Sequence, residues 1–296
     1  MSRTLWIALL GALLPLSAAA EPLLHSVAPG GGLRPIDAEL RTIDAADGST
    51  LSSVTMTLAG KLVVGARGLA RHPLTGTLYA LLKIAGQSSS ELVTVDPATG
   101  VATDVGNTFD TFAAIAFLAD GTLYGVTGDG GVVPETLYTL SLVDASSSEV
   151  IDLGNGTDGE TLAFNPLDAL LYHASGIGMP NQPASGEIFE TIDPGTLAVT
   201  NIPLSGFDYE ELTALTYANG GFYGGTLGDA DVDIPRLVRV TTNGVVTFLG
   251  DMDHVSKGLV LIPPPPAVPA LSGSMLGVLG LALGAAGFLR HPSSRR

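Results

Sequence analysis

Apolar and polar positions alternate along this chain in short runs, and the runs recur. Four segments carry an anchor pair, Leu78-Tyr79, Leu123-Tyr124, Leu171-Tyr172 and Phe222-Tyr223, at spacings of 45, 48 and 51 residues. A short apolar run precedes each anchor: Gly68-Leu69-Ala70, Ile115-Ala116-Phe117, Leu162-Ala163-Phe164 and Leu215-Thr216-Tyr217. Turn residues fill the gaps, as in Pro73-Leu74-Thr75-Gly76 and Ala119-Asp120-Gly121. The pattern predicts strand, tight turn, strand. A second hairpin follows each anchor. Glu91 to Val95 runs into Asp96-Pro97-Ala98-Thr99-Gly100, where Pro fixes φ and Gly accepts a positive φ. Further copies begin at Glu39 and Glu187, and looser ones at Leu137-Tyr138 and Leu237-Val238.

One repeat is therefore about 45–50 residues and holds four short strands. No long apolar segment of helical period interrupts them. Repeats of this size and content predict an all-β fold, a β-propeller whose blades are four-stranded sheets. A β-sandwich would need the anchor and the turn chemistry to recur by accident. Innermost strands fall at 68, 115, 162, 215 and Gly258–Ile262, and third strands at 40, 92, 137, 188 and 237, so each inventory gives five blades. The first third strand lacks an innermost partner before it, and the last innermost strand has nothing after it. The two halves are expected to meet in one blade, with Leu23 to Val27 as its second strand, which removes the open sheet edges. Six blades is the alternative, if Leu62 to Gly65 belongs to a degenerate extra unit.

The ends of the chain break this pattern. In residues 1–20, Arg3 precedes an apolar run from Leu5 to Leu16, and Ala18-Ala19-Ala20 stand before Glu21. That layout predicts a signal-peptide helix removed on export. The body is then residues 21–263. Residues 264–270 are a Pro-rich spacer, stiff in a polyproline conformation. Residues 271–296 are expected to form a transmembrane sorting helix with a basic tail. The uncharged run extends from Ala267 to Leu289, with Arg290, Arg295 and Arg296 beyond it. About 20 apolar residues can span a bilayer, and basic flanks favour the cytoplasmic side.

This tail resembles the PEP-CTERM class of bacterial sorting signals. Val268-Pro269-Ala270-Leu271-Ser272 is similar to the variant whose motif reads Ile-Pro-Thr-Leu-Ser. It departs from that variant at Gly273-Ser274-Met275, where an acidic residue and Trp usually stand. The resemblance covers about the last thirty residues. It implies an exosortase- or archaeosortase-like processing enzyme as partner, and display on the cell surface or in extracellular matrix.

Composition narrows the function. The 296 residues contain no Cys, which excludes a disulfide scaffold and any Cys-ligated metal or haem. The body carries 29 acidic against nine basic residues, a net of −20. So acidic a body does not bind nucleic acid, whose phosphates need Lys and Arg. His72, His173 and His254 sit at different repeat phases and read as ordinary turn or surface histidines. No HExxH, GxSxG or P-loop is present.

The acids are better organised. Loops that enter innermost strands hold Asp110, Asp158, Glu160, Asp208, Glu210, Glu211, Asp251 and Asp253. Loops between second and third strands hold Asp129, Glu135, Glu187 and the alternating run Asp229, Asp231, Asp233. In a propeller these loops share one face. The alternating run resembles a calcium loop, but Ile234 stands where an EF-hand needs Gly. Asp208, Asp229, Asp231, Asp233 and Asp251 are accordingly the candidate metal ligands, with Ca²⁺ as the cofactor they would take. Plain solvating charge is the competing account. Asn165 and Asn219 follow innermost strands and belong on the opposite face, which counts against a metal-dependent enzyme at the channel mouth.

Three functions compete, and fold alone does not choose among them. The first is a non-catalytic surface propeller that binds a glycan, a protein or a matrix component. The second is a calcium-dependent propeller hydrolase or lactonase. The third is a structural component of an exopolysaccharide layer. The absence of a nucleophile–base pair in the sequence favours the first and third.

Overall fold

A computed structural model of the chain describes residues 23–28, 38–128, 130–154, 161–176, 187–206, 211–227 and 234–263. The expected signal-peptide helix (1–20) and transmembrane helix (271–296) lie outside these residues, as do Val268, Pro269, Ala270, Leu271 and Ser272. Among the described residues there are strands and no helix, and so none long and apolar enough to cross a membrane.

Blade I begins with β1 (Leu23–Ala28), β2 (Glu39–Asp44) and β3 (Thr50–Thr55); the two-residue β4 (Thr57–Leu58) that follows pairs parallel with β8 at the outer edge of blade II. Blade II contains β5 (Val63–Arg71), β6 (Leu78–Ile84), β7 (Ser90–Val95) and β8 (Val101–Asn107). Blade III contains β9 (Phe112–Phe117), β10 (Leu123–Thr127), β11 (Thr136–Leu140) and β12 (Ser147–Asp152). Blade IV contains β13 (Thr161–Asn165), β14 (Leu170–Ser175), β15 (Ile188–Ile192) and β16 (Val199–Asn201). Blade V contains β17 (Leu212–Ala218), β18 (Gly221–Thr226), β19 (Arg236–Val240) and β20 (Val246–Asp251). The last strand, β21 (Leu259–Ile262), returns to blade I and pairs antiparallel with β1, giving the order β21-β1-β2-β3. The innermost strands touch in sequence, β5 to β9, β13, β17, β21 and back to β5, so the five sheets close a ring.

The anchor pairs explain why the ring forms. Successive side chains of a strand point to opposite faces of its sheet. Leu78 therefore packs into the wedge between blades I and II, while Tyr79 packs toward blade III. Leu123 and Tyr124, Leu171 and Tyr172, and Phe222 and Tyr223 divide in the same way. Each pair thus supplies apolar area to two inter-blade wedges, and five such wedges make up the core. In blade I the place is taken by Leu24, fully buried against blade V and paired with Ile43, and by His25. The six-blade alternative falls here. Val63 to Gly65 is the start of β5, which runs to Arg71 with register shifts on either side of Gly65 to Arg67.

Antiparallel order places the two kinds of loop at opposite ends of the channel. Loops into innermost strands and loops between second and third strands emerge at one end, the acidic end. Turns after innermost strands and after third strands emerge at the other. There the Asp96 turn is closed by Gly100 N–H to Asp96 O at 2.8 Å, with Gly100 at φ +73°. A Cβ on Gly100 would strike the Thr55 carbonyl of blade I, so the turn also seats one blade on the next.

Candidate functional site

At the acidic end the structure separates what the sequence grouped. Asp208, Asp229, Asp231 and Asp233 lie outside the described residues, as do Asp129, Asp158, Glu160 and Glu210. Asp251 ends β20 with its side chain largely exposed, 3.8 Å from Arg236 Nε. Asp110 is a local cap: its Oδ1 accepts from Thr111 N at 2.7 Å and from Val132 N at 2.9 Å. Among the described residues no group of three or more His, Asp or Glu could hold a metal ion.

Four other acids of this end are buried. Glu135, Glu187, Glu190 and Glu211 are all nine-tenths or more out of solvent, which the picture of a solvating rim did not anticipate. His173 joins two of them across blades III and IV. Its Nδ1 lies 3.0 Å from Glu190 Oε1 and its Nε2 3.3 Å from Glu135 Oε2. Ser175 Oγ donates to the other Glu135 oxygen at 2.9 Å. Burial opposes the charge on His173, but the two carboxylates outweigh it and hold its pKa up at about 10. His173 is therefore a buried imidazolium and not the surface histidine expected. Glu187 accepts from Leu212 N at 2.7 Å, and its Oε2 is buried with no hydrogen-bond partner among the described residues. Burial, with Glu211 nearby, pushes its pKa well above the usual carboxylate range.

A second constellation closes the ring. Ser26 Oγ lies 2.8 Å from His254 Nε2, and His254 Nδ1 lies 2.8 Å from Asp253 Oδ1. Asp253 also accepts from Arg41 Nη1 at 2.9 Å and Thr50 Oγ1 at 2.8 Å. Burial lowers the pKa of His254, so its neutral form gives Nδ1–H to Asp253 and accepts the Ser26 hydroxyl at Nε2. This is the order of a serine-hydrolase relay, and it corrects the expectation that the chain has no nucleophile–base pair. Its setting is structural. Ser26 is fully buried in the middle of β1, its Oγ also meets Ser256 Oγ at 2.8 Å, and the next amide, Val27 N, is bonded to Gly258 O. That amide is not free to hold an oxyanion, and the hydroxyl is shielded from solvent.

The other end of the channel is apolar. A cavity of about 520 Å³ is lined by the exit halves of the five innermost strands and the turns that follow. Leu69, Phe117, Phe164, Leu215, Tyr217 and Val260 contribute to its wall. Toward the acidic end the channel narrows to a void of about 10 Å³ beside Gly68, Thr161, Thr213 and Lys257. His72 stands at the mouth, but its Nδ1 accepts from Leu74 N and Thr75 N, so it is a turn cap. No sequence signal marked this cavity, because its wall is built from five segments whose apolar residues read as core.

No family model and no curated protein matches the chain. Solved structures with a similar fold include a nidogen/laminin complex, at 11% identity and TM-score 0.49, covering 81% of this chain and 97% of that one. They also include a Bacteroides fragilis protein described as a 6-phosphogluconolactonase, at 9% identity and TM-score 0.43, covering 82% and 99%. A puromycin hydrolase aligns at 13% identity and TM-score 0.41, covering 80% of this chain and 37% of its own. Likeness at this level concerns the propeller alone, and no chemistry is carried over from any of the three.

Proposed function

We propose that the protein is an exported, non-catalytic β-propeller, held at the cell surface as a binding or structural module of an exopolysaccharide or similar layer. One observation carries this reading: Leu23 pairs with Ile262, at the cavity end of the ring. The first and last strands of the body therefore end side by side. The acidic loops belong to the end of the ring opposite Ile262. Those loops are then the ones free to meet a basic partner, a glycan or a matrix polymer, as loops on a rigid scaffold commonly do. An exosortase-like enzyme acting at Val268 to Ser272 would complete the export.

The test is fractionation of cells that express the whole precursor or a form ending at Pro263. The precursor is expected in the membrane fraction before processing, and the shortened form in the periplasm or medium. A shortened form that stays with the membrane overturns the anchor. Nothing among the described residues favours the calcium-dependent hydrolase alternative over this reading, but the Ser26–His254–Asp253 relay raises a serine hydrolase as a separate one. A fluorophosphonate probe separates the readings: labelling lost in Ser26→Ala would establish a nucleophile, and no labelling is expected.

A further inference from the structure

The cavity at the apolar end of the ring has a chemistry of its own. Its wall is apolar, and Arg71 is the only charged side chain among the lining residues. Arg71 ends β5, is exposed to the mouth, and donates from Nε to Gly76 O at 3.2 Å across the following turn. It makes no ion pair among the described residues, in a body whose net charge is −20. The acids of the neighbouring turns are committed elsewhere. Asp168 accepts from Asn165 Nδ2 at 2.7 Å and from Tyr172 Oη at 2.8 Å, and Asp120 accepts from Thr122 N at 2.9 Å. Next to β21, whose Val260 lines the cavity, His25 keeps a buried Nδ1 with no hydrogen-bond partner. The charge of Arg71 reaches this ring and, after burial, helps to lower its pKa. A positive group left uncompensated at the rim of an apolar hollow is the arrangement that takes an apolar body with an anionic head.

We infer that this cavity is a binding site for a small amphiphile with an apolar, ring- or chain-shaped body and one carboxylate, sulfonate or phosphate group, the body in the channel and the anion on Arg71. The volume suits a ligand of small-molecule size, since such sites commonly run from about 300 to 1,000 Å³. The aromatic groups of Phe117, Phe164 and Tyr217 favour a flat ring. The inference rests on the proposed function only for the membrane-held form used in the test, because the cavity lies at the opposite end of the channel from the acidic loops.

The experiment uses the chain with its tail, held in lipid nanodiscs, and two probes of the same shape. Naphthalene-2-sulfonate carries the anion, and naphthalene-2-sulfonamide does not. Binding is followed by calorimetry, with Thr216→Trp as the blocked form, since Thr216 is a half-buried part of the wall. The anionic probe is expected to bind about tenfold more tightly than the neutral one, the size of a single charge-assisted contact. Arg71→Gln is expected to abolish that preference and leave the neutral probe unchanged, while Arg71→Lys retains most of it. Thr216→Trp should bind neither probe, with a melting temperature that shows the fold intact. Equal affinity for the two probes, a preference that survives Arg71→Gln, or undiminished binding by Thr216→Trp would overturn the site. So would failure of the wild type to bind either probe.

Discussion

His254 and His173 are both buried, yet their surroundings drive them to opposite charge states. His254 is neutral because burial lowers its pKa, despite its bond to Asp253. Its contribution to stability is complete above its unfolded value of about 6.5 and is lost as the pH falls below that. His173 is cationic with a pKa of about 10, so its contribution is complete below about 6.5 and is lost as the pH rises through 10. Glu187, raised by burial, acts in the same sense as His173. Stability measured by denaturant titration is therefore expected to peak near pH 6.5, falling below it through His254 and above it, pH 7 included, through His173. His254→Gln should flatten the acid side and His173→Gln the alkaline side. Each should also cost about 1–3 kcal/mol at pH 7, because partners such as Ser26 or Glu190 are left buried and unsatisfied. An unchanged alkaline limb in His173→Gln would show that the ring is not charged. Neither histidine announced itself in the sequence. Ser26 is 228 residues from His254, and Glu135 and Glu190 stand in different blades, so no local spacing carries these contacts.

At the scale of the strand, what could be read was what repeats. A Leu-Tyr or, in blade V, Phe-Tyr pair feeds two wedges at once, and that double duty keeps it recognisable in blades II to V. Blade I uses Leu24-His25 at the same register, opposite Ile43, and without the aromatic it does not read as a copy. The extra start of β5, counted as a possible sixth unit, is a bulged extension whose irregular register no apolar period reveals. The closing strand was legible because Gly258 to Ile262 had no other partner left in the inventory. Gly258 has a strict role there. A Cβ on it would stand 2.7 Å from Leu69 N and 2.9 Å from Leu69 Cβ of blade II. Both are in or next to the backbone of an innermost strand, so neither can move aside cheaply. Gly258→Ala is expected to lose about 1–3 kcal/mol of stability, the usual cost of overpacking. Gly60→Ala has no neighbour within 4 Å, but at φ +74° it carries backbone strain alone. A smaller loss in Gly258→Ala than in Gly60→Ala would mean that the ring does not close tightly at blades I and II.

The whole molecule has two unlike ends, an acidic one and an apolar one, and only the first was visible in advance. Charge can be counted along a chain, whereas a cavity shared by five strands exists only once the ring is closed. The acidic end also proved less uniform than its charge suggests. Asp110 and Asp253 are held by donors, and Glu135, Glu187, Glu190 and Glu211 are buried. Of the acids first assigned to a cation, Asp251 alone lies among the described residues, and it is largely exposed beside Arg236. Exposed acids on a body of net charge −20 repel one another weakly through water, and any salt screens that repulsion. A specific cation site behaves differently, because a ligand bound only to the folded state stabilises by mass action. Millimolar Ca²⁺ is therefore expected to raise the melting temperature only as far as NaCl of the same ionic strength does. Asp251→Asn should leave both shifts alike. An excess for Ca²⁺ over NaCl that a chelator reverses would overturn this expectation. If that excess then vanished in a variant with Asp208, Asp229, Asp231 and Asp233 all changed to Asn, the site would lie in those loops, and the acidic end would be a metal-dependent surface.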